Sequence, residues 1–211
     1  MPDTNMTTTH FYEPKNGHGL PHDPFNAIIG PRPIGWISTQ GADGSVNLAP
    51  YSFFNAFNYT PPTLGFSSSS MKDSVRNCQE TGEFVWNMTT RKLADAMNAS
   101  SAAVPYGTDE FDLANLSKAP SRLVAPPRIA ESPVNFECKV IEIIRLKSHT
   151  GEPTSAYLVL GEVVAVHIDT ALLHDGVFDT FAAGIVLRAG GPSGYAEIGP
   201  SNRFDMRRPG P

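Results

Sequence analysis

The chain has 211 residues, enough at about 150 residues per domain for one large domain with appendages. Charged residues make up 18% against about 25% in an ordinary domain, Gly and Pro number 18 and 19, and the net charge is −5. Those figures argue against a broad nucleic-acid footprint and against long solvated helices, while two widely separated cysteines, Cys78 and Cys138, argue against a disulfide framework or a cysteine zinc site.

Residues 1–15 hold Asp3 and Glu13 but no apolar core, so no signal peptide is expected and a cytoplasmic setting is the default. The longest charge-free stretch, 45–71, is broken by Pro50, Pro61 and Pro62, so no membrane span is expected. Residues 1–24 read as a loose arm, 25–200 as the folded domain and 201–211 as a tail. Residues 34–39 read as a strand, Gln40-Gly41-Ala42-Asp43-Gly44 as a turn, and 46–48 as the antiparallel return. Pro61-Pro62 bars a helix, and 63–67 reads as a third strand. Ser70-Met71-Lys72-Asp73 fits a capping box with Ser70 as N-cap and Asp73 at N3, and Gly82 marks the stop.

Residues 84–88 predict a fourth strand. Thr90 caps a second helix through about Ala99, with Leu93, Ala94 and Met97 on one face. A short helix around 109–116 precedes the proline-rich stretch 119–133. Val134, Phe136, Cys138 and Val140 alternate with Asn135, Glu137 and Lys139, which predicts a strand with one wet face; the phase breaks at Ile141, where a bulge fits. Residues 156–168 are nearly all apolar around Gly161, which predicts burial on both faces and a bend at the glycine. A short helix is expected within 169–181 and an irregular tail from Gly190. Short strands, turn chemistry and no β-α-β alternation give a mainly β chain, a Greek-key barrel or sandwich.

Several common engines are missing: there is no G-x-x-x-x-G-K-[ST], G-x-G-x-x-G, G-x-S-x-G or H-E-x-x-H. His18 and His22 lie beside Asp23 in the arm, too few fixed ligands for a metal site, and His149, His167 and His174 read as loop or core residues. No catalytic acid or base is assigned and no metal is expected. The informative stretch is 32–77. After Arg32 no cation appears until Lys72, which follows Ser67, Ser68, Ser69 and Ser70 at a candidate helix start. Free backbone N–H groups, the helix dipole, serine hydroxyls, Ser74 among them, and a lysine together suit a phosphate monoester. A capped surface helix is the commoner reading of the same residues. Upstream, Trp36, Tyr51, Phe53 and Phe54 can wall a flat ring such as a flavin, with Ser38, Asn47, Ser52 and Asn55 as polar contacts; ordinary core is again the commoner reading.

The ordered series Arg32-Pro-Ile-Gly-Trp-Ile-Ser-Thr39, Asp43-Gly44, Asn47-Leu-Ala-Pro-Tyr-Ser-Phe-Phe-Asn55, Pro61-Pro62, Lys72-Asp-Ser74, Asn77 and Gly82-Glu-Phe-Val-Trp-Asn87 resembles the flavin reductase-like family of FMN-binding split barrels. Gly190-Gly191, Tyr195 and Arg203-Phe204 extend the resemblance over about 20–208. It implies a mainly β, Greek-key split β-barrel that forms a homodimer with FMN near the subunit interface. By resemblance, Trp36 and Ser38 lie along the flavin. Asn47, Ala49, Pro50, Tyr51 and Ser52 line its ring and ribityl chain, and Ser67, Ser69, Lys72 and Ser74 hold its phosphate. Arg32, Phe53 and Asn55 join the candidate cofactor contacts from the same motifs; Asp73 is assigned to the helix cap or an edge contact. Many relatives have Thr where this chain has Ser74, and the hydroxyl is kept. The implied activity is that of an NAD(P)H-dependent flavin or ferric reductase, with hydride passing from nicotinamide to flavin N5. The alternative is a flavoredoxin-like FMN carrier that docks a redox partner protein and does not itself oxidise NAD(P)H.

Overall fold

The computed structural model describes residues 8–210; the first seven residues of the expected arm and Pro211 lie outside it. Seven strands form one antiparallel sheet: β1 (Gly35–Gln40), β2 (Val46–Tyr51), β3 (Phe54–Asn58), β4 (Thr63–Ser68), β5 (Glu83–Asn87), β6 (Val134–Lys147) and β7 (Pro153–Ile168). Their order across the sheet is β2-β1-β5-β6-β7-β4-β3. The two edge strands, β2 and β3, are therefore consecutive in the chain, joined only through Ser52 and Phe53. So short a link brings the two edges together at that end and curls the sheet, while β2 and β3 form no ladder with each other, which leaves the barrel split. Pro50 lies on edge strand β2, where a missing backbone donor is tolerated.

Antiparallel pairing carries β1 into β2 through the expected turn, Gly35 opposite Tyr51 and Gln40 opposite Val46. In the turn Asp43 accepts from the Ser45 N–H (2.9 Å) and hydroxyl (2.6 Å). Strand β3 is an addition to the sequence reading; its residues are exposed apart from Phe54, so no burial pattern betrays it. The bulge falls where the phase broke: Glu142 pairs with Leu160 and Val140 with Gly161, leaving Ile141 without an opposite residue. Gly161 is required there by close approach, since a Cβ would lie 2.3 Å from the Phe84 ring.

Helix α1 spans Asp73–Thr81 and ends at Gly82, whose φ of 71° suits the stop read from sequence. Its start is a correction. Lys72, not Ser70, is the N-cap residue, and no side chain caps the helix. The Ser70 carbonyl instead accepts from the Lys72 N–H (2.9 Å) and the Ser68 hydroxyl (2.8 Å), which holds the serine run in a bend ahead of the helix. A 3-10 turn at Arg91–Leu93 leads into α2 (Ala94–Ala99), and α3 is Glu110–Leu113, capped by Asp109.

Inside the barrel, Ile37, Phe66, Val75, Cys78, Phe84, Cys138 and Val159 form the core. Trp36, Leu48, Met97, Phe111, Ile129 and Val186 form a second buried cluster. Strand β1 is thus covered on both faces: Ile37 joins one cluster and Trp36 the other.

The wet face expected on β6 holds at Lys139, which is exposed, but fails at Asn135 and Glu137, which are buried because segment 117–133 lies over that part of the sheet. The segment is fastened by side chains reaching out from the strands. Ser38 Oγ donates to the Pro127 carbonyl (2.6 Å), Asn87 Oδ1 accepts from the Ile129 N–H (2.9 Å), and Glu137 accepts from the N–H groups of Arg122 (2.8 Å) and Leu123 (2.6 Å). Burial on both faces of β7 is overturned too, with Val166 51% exposed and Ile168 also exposed. The short helix expected within 169–181 is a 3-10 helix at Thr170–Leu172, followed by a small ribbon, and the tail expected to be irregular contributes a strand at Tyr195–Glu197. No helix of the described residues is long and apolar enough to cross a membrane.

Candidate functional site

A cleft of about 390 Å³ opens between the end of β2 and the start of α1. Asn47, Ala49, Pro50 and Tyr51 form one wall and Met71, Lys72, Asp73 and Ser74 another; loop 100–104 and Glu110 complete it. Seven of the sequence-derived candidates thus meet in one place: Asn47, Ala49, Pro50, Tyr51, Lys72, Asp73 and Ser74.

Their polar atoms are organised from beneath. Asn47 Nδ2 donates to Ser74 Oγ at 2.8 Å and lies 3.4 Å from Thr39 Oγ1, while Asn77 Nδ2 donates to the same threonine at 3.0 Å. Asn77 Oδ1 is left without a partner in this buried layer. Burial pushes the Tyr51 phenol up to about 12, against the opposing influence of the Ser74 and Ser68 hydroxyls, so it stays protonated and neutral. At the mouth, Lys72 is exposed and enters no ion pair among the described residues. Asp73, its neighbour, is drawn to Arg76 (3.2 Å). The first-turn N–H groups of α1 have no helical acceptors. The wall from Ala49 to Tyr51 is largely apolar.

The remaining candidates lie elsewhere. Trp36 and Ser38 are fully buried outside the cleft, the indole N–H donating to Ser100 Oγ at 2.9 Å and the serine held by Pro127. Arg32 clamps the link between the edge strands: Nε donates to the Ser52 carbonyl (2.9 Å), Nη2 reaches Ser52 Oγ (3.4 Å), and the guanidinium sits 5.4 Å from the Phe53 ring centroid. Phe53 is partly exposed and stacks on Phe25. Asn55 is exposed and accepts from the Ala56 N–H. Ser67 is half-buried at the end of β4 and Ser69 is exposed on the bend; neither lines the cleft.

Glu110 was not legible as a site residue, because an acid at a helix start is commonplace. It is buried in the cleft wall, and Oε2 accepts from the Leu48 N–H at 2.9 Å on the free edge of β2. Burial, with Asp73 and Asp109 nearby, pushes its carboxyl above the usual range.

Residues 30–182 match the flavin reductase like domain. The chain belongs to the flavin reductase-like family. An uncharacterized protein of Halalkalibacterium halodurans is 37% identical over 193 residues, covering 88% of this chain and 90% of the relative. Nitrilotriacetate monooxygenase component B from Bacillus cereus superposes with a TM-score of 0.83 at 26% identity, covering 96% of this chain and 100% of that one. The 2-nitrobenzoate 2-nitroreductase of Pseudomonas fluorescens gives 0.77 at 27% identity, with 88% of each chain covered. Every wall of the cleft falls inside the span matched to the flavin reductase-like family.

Proposed function

We propose that the protein binds FMN in this cleft and acts as an NAD(P)H-dependent flavin reductase. The observation that carries the reading is the start of α1 in the cleft wall. There a lysine with no acid partner among the described residues stands beside a buried serine hydroxyl and first-turn backbone N–H groups, and the neighbouring Asp73 is turned to Arg76. Such donors fit a phosphate monoester. Family membership supports a flavin ligand, and the Pseudomonas neighbour is named for a reduction.

Lys72 and Ser74 would hold the phosphate, and Ala49, Pro50 and Tyr51 would line the ring. Bound there, the flavin supplies hydride acceptance at N5. The residues of the chain orient and shield it. Arg32 stiffens the link at the end of the ring wall, Glu110 holds the edge of β2 through Leu48, and the protonated Tyr51 presents no charge. A cytoplasmic homodimer is part of the same proposal.

Anaerobic mixing of FMN-loaded protein with NADH, then NADPH, is the test. Bleaching of the visible flavin bands by either nucleotide is expected. Bands that persist with both at millimolar concentration would remove the nicotinamide step and leave an FMN electron carrier.

A further inference from the structure

A second depression, of about 560 Å³, opens between the end of β7 and segment 122–135 and shares no residue with the cleft. Arg122, Arg128 and His167 line it, and all three keep hydrogen-bonding capacity unused by the fold. Arg128 is anchored by Nε on the Pro120 carbonyl (3.2 Å) and by Nη1 on Asn135 Oδ1 (3.0 Å), which leaves Nη2 without an acceptor among the described residues. The His167 ring is fixed by Nε2 against Glu137 Oε1 at 2.6 Å, and its Nδ1 has no partner there. Arg122 is tied down through its backbone N–H to the same carboxylate, while its guanidinium makes no hydrogen bond among the described residues.

The acids around the depression are engaged with backbone. Glu131 accepts from the Ser117 N–H with both oxygens (3.0 and 3.2 Å), and Asp169 caps Ala171 (2.9 Å). Neither arginine has an acid partner among the described ion pairs. The donors left over in the depression belong to guanidinium groups, while its carboxylates, still charged, accept from backbone N–H groups, so the free hydrogen-bonding capacity suits an anion. Two guanidinium donors, with an imidazole Nδ1 that in the neutral ring accepts from a protonated phosphate oxygen, suit a phosphate monoester better than a carboxylate, and the volume leaves room for an organic part.

We propose that this depression binds a phosphorylated small molecule, with Arg122, Arg128 and His167 holding its phosphate. The site is separate from the FMN cleft and does not depend on the flavin reading.

Calorimetric titration of inorganic pyrophosphate at low salt into the full chain, presaturated with FMN to fill the start of α1, tests it. If FMN does not bind, the same titration uses Lys72→Ala, so failure of the flavin reading is seen separately. One pyrophosphate per chain is expected, with acetate giving no saturable heat. Arg122→Ala should weaken it about tenfold or more, the usual worth of a charge-assisted hydrogen bond. Since that guanidinium holds nothing in the fold, the variant should melt like the parent. Arg128→Ala should weaken binding similarly. No saturable binding, equal response to chloride, or unchanged affinity in Arg122→Ala would overturn the site.

Discussion

Glu137 is fully buried, yet sequence alternation assigns it to a wet face. Its carboxylate joins three elements: Oε1 accepts from the Arg122 N–H (2.8 Å) and His167 Nε2 (2.6 Å), and Oε2 from the Leu123 N–H (2.6 Å). Glu137→Gln keeps the shape but turns one acceptor oxygen into a donor. Whichever way the amide sits, at least one backbone N–H then faces a donor with no water to replace it. A lost charge-assisted hydrogen bond plus a buried unpaired N–H costs about 3 kcal/mol. For a chain of this length that lowers the melting temperature by about 6–12 °C. Burial alone raises the carboxyl, but the bonds from His167, Arg122 and Leu123 outweigh it and hold it below the usual carboxylate range. A depressed folded-state value stabilises above the unfolded pKa of about 4.3, and that stability is lost as pH falls through the lower folded value. Urea unfolding of parent and variant from neutral to strongly acid pH should therefore show a gap that narrows below about pH 4. A gap that stays constant with pH, or a variant as stable as the parent, would refute the fastening role.

Gly161→Ala places a Cβ 2.3 Å from the buried Phe84 ring at the β6–β7 bulge. It should destabilise by about 1–3 kcal/mol in chemical denaturation, the usual range for overpacking. Burial pushes the thiols of both Cys78 and Cys138 up. A thiol-exchange reagent should therefore leave the native protein unlabelled and titrate two groups only after unfolding; rapid labelling of either cysteine in the native state would contradict their burial.

Fold class, the β1–β2 hairpin, the Ile141 bulge and the Gly82 stop were legible because each rests on local periodicity or backbone chemistry. The helix start was misplaced by a competition that propensity does not reveal: Ser68 takes the Ser70 carbonyl before the helix begins. The face of β6 was misread because alternation reports side-chain polarity, whereas burial there is imposed by a segment that arrives over the sheet and is satisfied by Asn87, Asn135 and Glu137. In the cleft, the short-range part was legible. Asn47 to Tyr51 and Lys72 to Ser74 are compact motifs and converge. Glu110 and loop 100–104 come from a stretch with no motif, and only the tertiary fold brings them to the wall. Trp36 and Ser38 stand in a recognisable motif, but alternation along β1 turns them to the second buried cluster.

The most direct test of the flavin site is a paired equilibrium titration of FMN and riboflavin, which differ by the phosphate, into the parent protein and Lys72→Ala. Phosphate anchoring at α1 predicts that the exposed lysine contributes about 1.5 kcal/mol, the lower end for a charge-assisted bond, so FMN affinity falls about tenfold. Riboflavin affinity should stay within about twofold, a few tenths of a kcal/mol. Equal losses for the two flavins, or no loss for either, would contradict a phosphate held at the start of α1.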